Sequence, residues 1–596
     1  MFNSSVRSDI NYKSIFQYIK RIFRILQKKN IFLFWCIILF SIILGCIPPL
    51  SLILMQRIIS LLEQGNQSIN NILSVIIAYL LLDVVSEIVE NIQNYSIFNF
   101  KAKISLEIKE MMLNKSSRLS LEQFEDSETY DKVQRAKNQD GGIVFSYFSH
   151  FLSIFRSFIS IFAYIIIILF WRWYTIIPVV TFAIIKSIVI TKMNEKQYKI
   201  IRERTDKERE QWYYEFLLTN DIAFKEIKLH QLGRVFVNRY KALFSMLFDQ
   251  DKRIYKKFGI NNTILSLVDI FITGVVFILI IIDTLAQIIS IADTITYTRS
   301  FTSLKKNIQS VMMQVTSIYR DTLYISELFE FLEFPEERID RFGKSISRIE
   351  LIEIVDLSYK YPNSNQFALK NINLTVKRGQ LCAILGKNGS GKSTLAKLIS
   401  GYYDDYSGTI RINGVDLKTL NKEKYRKQVS VFFQDYAQFE LTARENVSLG
   451  SGMPDKISDF EIEKYLEKLG MNRSKFQNLD KRLGFWFSNG TQLSGGEWAK
   501  IILARVAIKK ASLNIFDEPT ASLDAESERL AFSQISSMRE SLLIVITHKM
   551  SALRSYADSL IILHNGEIVS KGLHEELLEC PYYISLLQVE AQESVI

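Results

Sequence analysis

The sequence contains few cysteines, and it lacks the spacings that would give them a structural role. Its 596 residues include four cysteines, from which neither a paired metal-ligand spacing nor a dense disulfide framework can be drawn. Two lie in an apolar run near the N-terminus and one in a predicted strand, so we interpret them as buried apolar residues. The four are Cys36, Cys46, Cys382 and Cys580.

The sequence also lacks the pattern of a cleavable signal peptide, because its first apolar run is long and follows an extended basic segment. The net charge is +10, and an excess of this kind suits nucleic acid or anionic lipid as a partner. The basic residues nevertheless concentrate between the apolar runs, as the positive-inside rule requires of cytoplasmic segments. We therefore expect a membrane protein surrounded by lipid, with no nucleic-acid partner.

Long apolar runs dominate the first half of the chain. A membrane-spanning helix needs about 20 apolar residues, and we predict six spans. The sixth carries Arg299, Lys305 and Lys306, so hydropathy alone does not identify it, but an even number is required to return the chain to its starting side. The predicted spans are Ile31–Met55, Ile69–Val89, Phe151–Phe170, Tyr174–Ile190, Thr263–Ile282 and Leu285–Val315.

Two of the connections between these spans are long, basic and helical in pattern. The connections at residues 91–142 and 192–260 are rich in lysine and arginine, whereas those on the other side are short. The long connections therefore face the cytoplasm. Apolar residues recur at three- and four-residue steps through Leu119–Val133 and Glu203–Leu229, which predicts helices that extend beyond the bilayer.

The second half of the chain has the pattern of a soluble α/β domain, in which short apolar strands alternate with helices around a parallel sheet. A charged segment with Pro335 precedes it. The fold prediction is an α-helical transmembrane domain of six helices with long cytoplasmic extensions, followed by an α/β domain. Its predicted parts are a basic cytoplasmic segment at 1–30, a transmembrane domain at 31–332, a linker at 333–347 and the α/β domain at 348–596.

A phosphate-binding loop follows a buried strand of this second half. Leu381–Leu385 predicts a strand, Lys392–Ser400 predicts a helix, and the loop between them fits G-x4-G-K-[ST]. Glycines allow backbone N–H groups to surround phosphates, and the helix N-terminus adds positive potential. Lys392 would pair with the β- and γ-phosphates, and Ser393 would supply a hydroxyl to Mg²⁺. The predicted nucleotide-binding residues are Gly386, Asn388, Gly389, Ser390, Gly391, Lys392, Ser393 and Thr394.

Two adjacent carboxylates follow another buried strand, Leu513–Phe516. Asp517 is placed at the end of this strand to hold Mg²⁺, directly or through water. Glu518 is then placed to accept a proton from an attacking water molecule, as a general base. Asn514 interrupts the apolar run of the strand, and the sequence offers no reason for it.

From about Arg348 the chain resembles the ATP-binding cassette (ABC) ATPases, whose motifs occur here in order. The resemblance implies an α/β P-loop ABC ATPase domain that uses ATP with Mg²⁺. It assigns adenine stacking to Tyr361, contact with Mg²⁺ and the attacking water to Gln434, and a switch role near the γ-phosphate to His548. These three residues lie in the stretches LSYKYP, VFFQD and VITHK.

The same resemblance implies a homodimer. Leu493–Glu497 reads LSGGE and matches the family signature, with Glu497 where glutamine is commoner. In the family, the serine and the second glycine of this motif close over the γ-phosphate held by the P-loop of the other subunit. Those residues are Ser494 and Gly496, with Gly495 between them. Asp524 ends a loop that crosses between the two sites, and both sites would be able to hydrolyse ATP.

Six spans followed by one cassette resemble a bacterial half-transporter of the exporter type, located in the cell membrane with its ATPase domain in the cytoplasm. In such transporters, helix tips dock on the ATPase domains, the second usually on the partner chain. We place the tips near Leu119–Val133 and Trp212–Lys228, although both stretches also fit ordinary surface helices. Closure of the cassettes would reopen a cavity outward, which is alternating access.

Charged residues within the predicted spans indicate a polar cavity, because a charge that faces lipid is costly. Asp83, Glu87 and Glu90 share one helical face. The innermost charges also fit helix extensions in cytosolic water, whereas Glu87, Asp269 and Arg299 at mid-span favour cavity lining or mutual ion pairing. A mixed-charge cavity suits a peptide better than a purely apolar drug. The other charges in the spans are Arg156, Lys186, Lys305 and Lys306.

The most detailed resemblance is to exporters of lantibiotics of the nisin type, and it covers most of the chain. Phe224–Leu229, Tyr361–Leu374 and Leu483–Lys500 carry it. Just before the signature, many multidrug and lipid exporters have an acidic, arginine-containing segment, whereas this chain has the aromatic Phe485–Phe487. The resemblance implies a modified precursor peptide as cargo, with lanthipeptide modification enzymes as further partners.

A related class of peptide exporters has an N-terminal cysteine peptidase that removes the leader. No cysteine or histidine precedes the first predicted span, so we expect no such domain and a cargo that keeps its leader.

Other functions compete with the hypothesis of peptide export. A multidrug or lipid exporter shares every ATPase motif, and an importer on the same fold is a further alternative. A nucleotide-gated channel is disfavoured by Glu518, and a soluble cassette protein by the apolar runs.

Overall fold

The computed structural model describes residues 20–21, 24, 31–65, 68–126, 141–221, 223–337, 343–362, 364–471, 478–548, 553 and 555–593. Most of the predicted basic segment, residues 127–133 of the first predicted tip and residues 338–342 of the predicted linker lie outside these ranges. The chain divides into two compact units. One comprises residues 1–117 and 128–335, and the other comprises residues 118–127 and 336–596.

Long helices make up the first unit, and the six longest have between 28 and 53 residues. In the described part of the predicted cytoplasmic connections there are three shorter helices. The helices up to residue 333 are α1 (Ile31–Glu63), α2 (Ile69–Ser116), α3 (Leu121–Glu125), α4 (Gly141–Arg172), α5 (Ile176–Glu203), α6 (Thr205–Thr219), α7 (Phe224–Leu229), α8 (Gly233–Leu285) and α9 (Ile291–Glu333).

Within the described residues, four helical stretches are long and apolar enough to cross a membrane, namely Ile31–Glu63, Ile69–Ser116, Gly142–Met193 and Gly233–Leu285. The third stretch contains both α4 and α5, which are separated by a short turn of 3₁₀ helix. It therefore holds two of the predicted spans. Helix α9 does not reach this hydropathy, in keeping with the three basic residues of the sixth predicted span.

The sixth predicted span begins later in the structure than in the sequence-based prediction. Leu285 is the last residue of α8, and α9 begins at Ile291. A capping box explains this start, because the Ser290 side chain accepts a hydrogen bond from the backbone of Asp293 while the Asp293 side chain reaches back to Ser290. The residues between the two helices form the turn that joins them.

Two helices extend far beyond the thickness of a bilayer. At a rise of about 1.5 Å per residue, α2 is about 72 Å long and α8 about 80 Å long, whereas the hydrocarbon core is about 30 Å thick. Their 48 and 53 residues therefore include a membrane span and a long continuation. This agrees with the helical pattern of the basic connections.

A buried carboxylate ties the far end of α8 to the turn between α4 and α5. Asp283 is 2% exposed and accepts hydrogen bonds from Arg172 at 2.8 Å and from the indole of Trp171 at 2.9 Å. A buried carboxylate is costly unless it is paired. These two donors satisfy the buried Asp283 carboxylate and link the end of α8 to the end of α4.

Two sheets form the framework of the second unit. In the described residues after the linker there are ten strands and eight α-helices. The strands are β1 (Leu351–Tyr359), β2 (Leu369–Lys377), β3 (Leu381–Leu385), β4 (Ser407–Ile412), β5 (Val415–Asp416), β6 (Val429–Phe432), β7 (Leu513–Asp517), β8 (Leu542–Ile546), β9 (Ser559–His564) and β10 (Glu567–Gly572). The helices are α10 (Lys392–Ile399), α11 (Lys422–Lys427), α12 (Ala443–Ser448), α13 (Asp459–Lys468), α14 (Gly495–Ile508), α15 (Ala525–Ser536), α16 (His574–Leu577) and α17 (Pro581–Glu593).

The larger sheet has the order β10-β9-β3-β8-β7-β6, and the smaller one has the order β2-β1-β4-β5. From β9 to β6 the strands of the larger sheet are parallel, and β10 pairs with β9 in the antiparallel sense. The smaller sheet is antiparallel. The predicted parallel sheet is thus present, with an added antiparallel sheet.

The central strands of the larger sheet separate two hydrophobic cores. In β8, Ile544 belongs to the core shared with the smaller sheet, whereas Val545 belongs to the core on the opposite face. Side chains alternate between the faces of a strand, so a strand buried on both faces is apolar throughout. This explains the continuous apolar runs of β3 and β8.

Asn514, which the sequence left without explanation, anchors the start of β7. It is 2% exposed, and its amide donates hydrogen bonds to the carbonyl of Ala511 at 3.1 Å and to the Ser541 hydroxyl at 2.8 Å. Ser541 directly precedes β8. The side chain therefore joins the beginnings of two neighbouring strands.

Truncation of a side chain in the two-sided core should destabilise the second unit. We expect Ile544→Ala to remove about 3 kcal/mol of stability, because it leaves a cavity against a fully buried strand. The apparent melting temperature of this unit, followed by thermal unfolding of the purified protein, should fall by about 5–10 °C. Val569→Ala on β10, where the side chain is 48% exposed, is the control. This variant should have the melting temperature of the parent protein. Equal melting temperatures for the two variants would contradict this packing.

Candidate functional site

The predicted phosphate loop lies between β3 and α10, as its motif requires. Gly386 and Gly391 are closely surrounded: an added Cβ would lie 2.2 Å from the Leu563 carbonyl oxygen in the first case and 2.6 Å from the Ala368 carbonyl oxygen in the second. Gly391 also has φ of 103°, a conformation that side chains disfavour. Other residues at these two positions would deform the loop.

Lys392 reaches back over the loop that precedes it. Its ammonium donates hydrogen bonds to the carbonyls of Gly386 at 2.8 Å and Lys387 at 3.0 Å. Burial lowers the pKa of Lys392, and the nearby carboxylates of Glu518 and Asp517 act in the opposite direction. A phosphate placed in this loop would meet a positive charge that is already oriented toward it.

Asp517 is placed to bind a cation. It lies at the carboxyl end of β7 and is 2% exposed. Burial raises the pKa of Asp517, and a hydrogen bond with Ser393 acts to lower it. Its Oδ1 atom is buried and has no hydrogen-bond partner among the residues that the structure describes, which is costly unless a ligand satisfies it. Carboxylate and hydroxyl oxygens suit Mg²⁺, so Asp517 and Ser393 fit such an ion.

Glu518 is held between the two residues that the sequence placed near it. Its side chain is 8% exposed; it accepts a hydrogen bond from Gln434 at 2.9 Å and lies 3.3 Å from Nδ1 of His548. Glu518 has φ of 50°, an uncommon conformation for a residue with a side chain. Such strain is concentrated at functional sites, and here it directs the carboxylate toward Gln434 and His548.

Tyr361 belongs to a cluster of tyrosine rings beside α10. Its ring centroid lies 5.1 Å from that of Tyr359 and 5.9 Å from that of Tyr403. Its hydroxyl lies 3.2 Å from the Thr394 hydroxyl, on the helix that begins at Lys392. The predicted adenine-stacking residue is therefore held beside the phosphate loop.

The signature motif forms the start of α14. The Ser494 side chain accepts a hydrogen bond from the backbone of Glu497 at 3.3 Å, and the Glu497 carboxylate accepts one from the Ser494 backbone at 2.9 Å. This is a capping box, and glutamine is equally suited to that position. The Glu497 that departs from the family pattern therefore preserves the local structure.

The signature motif and the Asp524 loop pack together. An added Cβ on Gly496 would lie 2.9 Å from the Ser522 carbonyl oxygen, whereas one on Gly495 would make only ordinary contacts. Asp524 caps α15 by accepting a hydrogen bond from the backbone of Ser527 at 2.7 Å. That hydrogen bond lowers the pKa of Asp524, so the residue is ionised at neutral pH.

The structure thus brings together Lys392, Ser393, Asp517 and Glu518 at one edge of the parallel sheet. Gln434 and His548 join them through Glu518. The remaining loop residues, Asn388, Gly389 and Ser390, lie between β3 and α10. Ser390 has a hydroxyl that is buried without a protein partner.

Sequence reasoning missed two connections of this site. The Tyr436 hydroxyl donates a hydrogen bond to the Gly495 carbonyl at 3.1 Å and so links the Gln434 loop to the signature motif. The Tyr403 hydroxyl donates to Glu125 at 2.7 Å, and Lys397 pairs with the same carboxylate at 3.1 Å. Tyr436 and Tyr403 closely follow predicted site elements, but no local pattern indicates their partners.

Comparisons with known proteins agree with these motifs. A family model described as "ABC transporter" matches residues 369–521. The subtilin transport ATP-binding protein of Bacillus subtilis is 33% identical over 560 residues, which are 92% of this chain and 90% of that protein. The nisin transport ATP-binding protein of Lactococcus lactis subsp. lactis is 32% identical over 584 residues, 96% of each chain.

Two further comparisons concern a lipid flippase and an exporter of known structure. An ATP-dependent lipid A-core flippase of Aromatoleum aromaticum is 33% identical over 295 residues, 48% of each chain. Among solved structures, a bacterial Atm1-family ABC exporter with ATP bound is similar with a TM-score of 0.79 and 19% identity, over 94% of this chain and 99% of that one. At this identity, the likeness concerns the fold.

Replacement of the candidate base should separate nucleotide binding from hydrolysis. We expect Glu518→Gln to bind ATP but to hydrolyse it about 100-fold more slowly or worse, because an amide does not accept the proton. Phosphate release and binding of a fluorescent ATP analogue measure the two steps. Glu497→Gln is the matched control, since glutamine keeps the capping box, and it should retain hydrolysis. Comparable rates in both variants would show that Glu518 is not the base.

Proposed function

Because the chain belongs to the ABC transporter family, as an exporter whose ATPase activity is coupled to transport, we propose that its cargo is a modified precursor peptide, a lanthipeptide with its leader attached. The observation that carries this proposal is likeness over almost the full length to the two lantibiotic transport proteins. The likeness to the lipid flippase covers about half of the chain. The greater extent of the likeness to the lantibiotic transport proteins supports a peptide rather than a lipid as cargo.

We propose that two copies of the chain form the working unit. One chain has one phosphate loop and one signature motif, and the signature of each copy would complete the ATP site of the other. Ser494, Gly495, Gly496 and Glu497 would face the nucleotide of the partner, and Asp524 would lie between the sites. ATP would hold the cassettes together, and its hydrolysis would let them separate.

The roles of the site residues are part of the same proposal. Tyr361 supports the adenine, and Lys392 neutralises the phosphates. Glu518 accepts the proton of the attacking water, and Gln434 orients that water. His548 contacts the γ-phosphate. Ser393, Asp517 and Gln434 would hold Mg²⁺, which would supply charge stabilisation for the transferred phosphoryl group.

The connection of Glu125 to the ATP site supports a route from the cassette to the membrane spans. Helix α3 belongs to the second unit, and its Glu125 is bonded to Tyr403, which packs beside Tyr361. Burial raises the pKa of Tyr403, so its hydroxyl stays protonated and donates. We propose that α3 is the first docking tip. Helices α6 and α7, which expose Trp212 and Phe224, form the second tip and dock on the partner chain.

A test of the cargo uses the purified exporter in liposomes. A leader-bearing lanthipeptide precursor should raise ATP hydrolysis and accumulate in the lumen of inside-out vesicles, because binding favours cassette closure. The same peptide without its leader, a lipid A-core preparation and an amphiphilic drug are the comparisons. Strong stimulation by lipid or drug without any response to precursors would reject the peptide proposal. Co-purification with lanthipeptide modification enzymes, which we propose as partners, is a separate measurement.

Removal of the Glu125 contacts should weaken coupling more than hydrolysis itself. We expect Glu125→Ala to reduce the cargo-stimulated part of ATP hydrolysis about two- to fivefold, since the partly exposed ion pair contributes at most about 1 kcal/mol. ATP hydrolysis without cargo should change less. Glu122→Ala on the same helix is the matched control. An equal loss in both variants would mean that the helix, and not the Glu125 contacts, accounts for the effect.

A further inference from the structure

A cavity of about 770 Å³ lies among α5, α8 and α9 of the first unit. Its lining is mixed, with polar side chains such as Asn262 and Thr316 beside apolar and flexible ones such as Met312 and Met313. Methionine adapts to ligands of different shapes. A volume of this size accommodates a ligand the size of a drug molecule or a short peptide segment.

Among the described residues that line this cavity, the two charged ones are basic. They are Lys186 on α5 and Arg320 on α9. Arg320 has a carboxylate partner, because its guanidinium lies 3.5 Å from Asp321. The charge of Lys186 is balanced differently, in a cluster that it shares with a second lysine.

That cluster contains two ammonium groups and one carboxylate. Asp269 Oδ2 lies 3.0 Å from Lys305 and 3.6 Å from Lys186, and it accepts a hydrogen bond from Gln309 at 3.3 Å. Lys305 also donates to the Thr273 hydroxyl at 3.2 Å. The two lysines and Asp269 together therefore carry a net formal charge of +1.

Of the two lysines, Lys186 is the one that interacts more weakly with the Asp269 carboxylate. Its distance to the carboxylate is longer, and its other polar contact is the neutral Ser266 hydroxyl at 3.3 Å. The Lys186 side chain is only 10% exposed, so water solvates it poorly. An incompletely neutralised charge within a membrane span is costly and marks a functional site.

We propose that Lys186 binds a carboxylate of the cargo, so that the cavity selects peptide segments with an acidic side chain or a free C-terminus. The proposal rests on peptide export as the function. An incoming carboxylate would neutralise the excess positive charge of this cluster. The polar lining would provide hydrogen-bond partners to a peptide backbone, which a lipid tail would not use.

The test compares two synthetic peptides of equal length that differ in one position, glutamate in one and glutamine in the other. The exporter is reconstituted in phosphatidylcholine liposomes, and the peptide concentration that gives half-maximal stimulation of ATP hydrolysis is measured. We expect the glutamate peptide to act at an about tenfold lower concentration, which is the effect of one charge-assisted hydrogen bond. Lys186→Met should abolish this preference, and Lys186→Arg should restore it.

Met313→Leu, which changes the lining without changing its charge, is the matched control and should keep the preference. Equal action of both peptides on the parent protein, or a preference that survives in Lys186→Met, would overturn the inference while leaving peptide export intact. If neither peptide nor any precursor stimulates hydrolysis, peptide export itself fails. If phosphatidylglycerol stimulates instead and loses its effect in Lys186→Met, the site serves a lipid headgroup and the inference is wrong.

Discussion

The ATP site depends on the parallel pairing of β8 with β3 on one side and with β7 on the other. Ile546 lies opposite Ile384 in the first pair and opposite Asp517 in the second. The phosphate loop and the two acids therefore leave the sheet at the same edge. A slip of one residue would turn every side chain of a strand to the other face. The two buried cores that prevent this slip thereby also position the catalytic groups.

In both the ATP site and the cavity beside Lys186, charged side chains are largely buried away from water. In the cassette, burial disfavours the charged forms of Asp517 and Lys392, and their mutual proximity offsets part of that cost. Between the helices of the first unit, Asp269 is shared by Lys186 and Lys305. Buried charges of this kind contribute little to stability. In both of our proposals, their incomplete neutralisation is the reason that the site would bind an ion of opposite charge.

Local sequence patterns predicted the phosphate loop, the acidic pair, the signature and the strands that carry them, because each is a contiguous motif. The family resemblance placed Gln434 and His548 near the γ-phosphate and its attacking water, but their contacts with Glu518 were not predicted. The hydrogen bonds of Asn514 and Glu125 were not predicted, since their partners lie far away in sequence. The late start of α9 depended on a capping box that hydropathy does not detect.

The sequence by itself determined the family, the ATPase chemistry and the succession of a helical half and an α/β half, because apolar periodicity and loop motifs are local properties of the chain. Only the tertiary structure decided which charges neutralise one another. Asp269, Lys186 and Lys305 lie on three helices separated by many residues, and their balance depends on how those helices pack. The positive φ of Glu518 is likewise seen only in the folded structure, where its backbone N–H donates a hydrogen bond to the Ile546 carbonyl on the neighbouring strand at 2.8 Å.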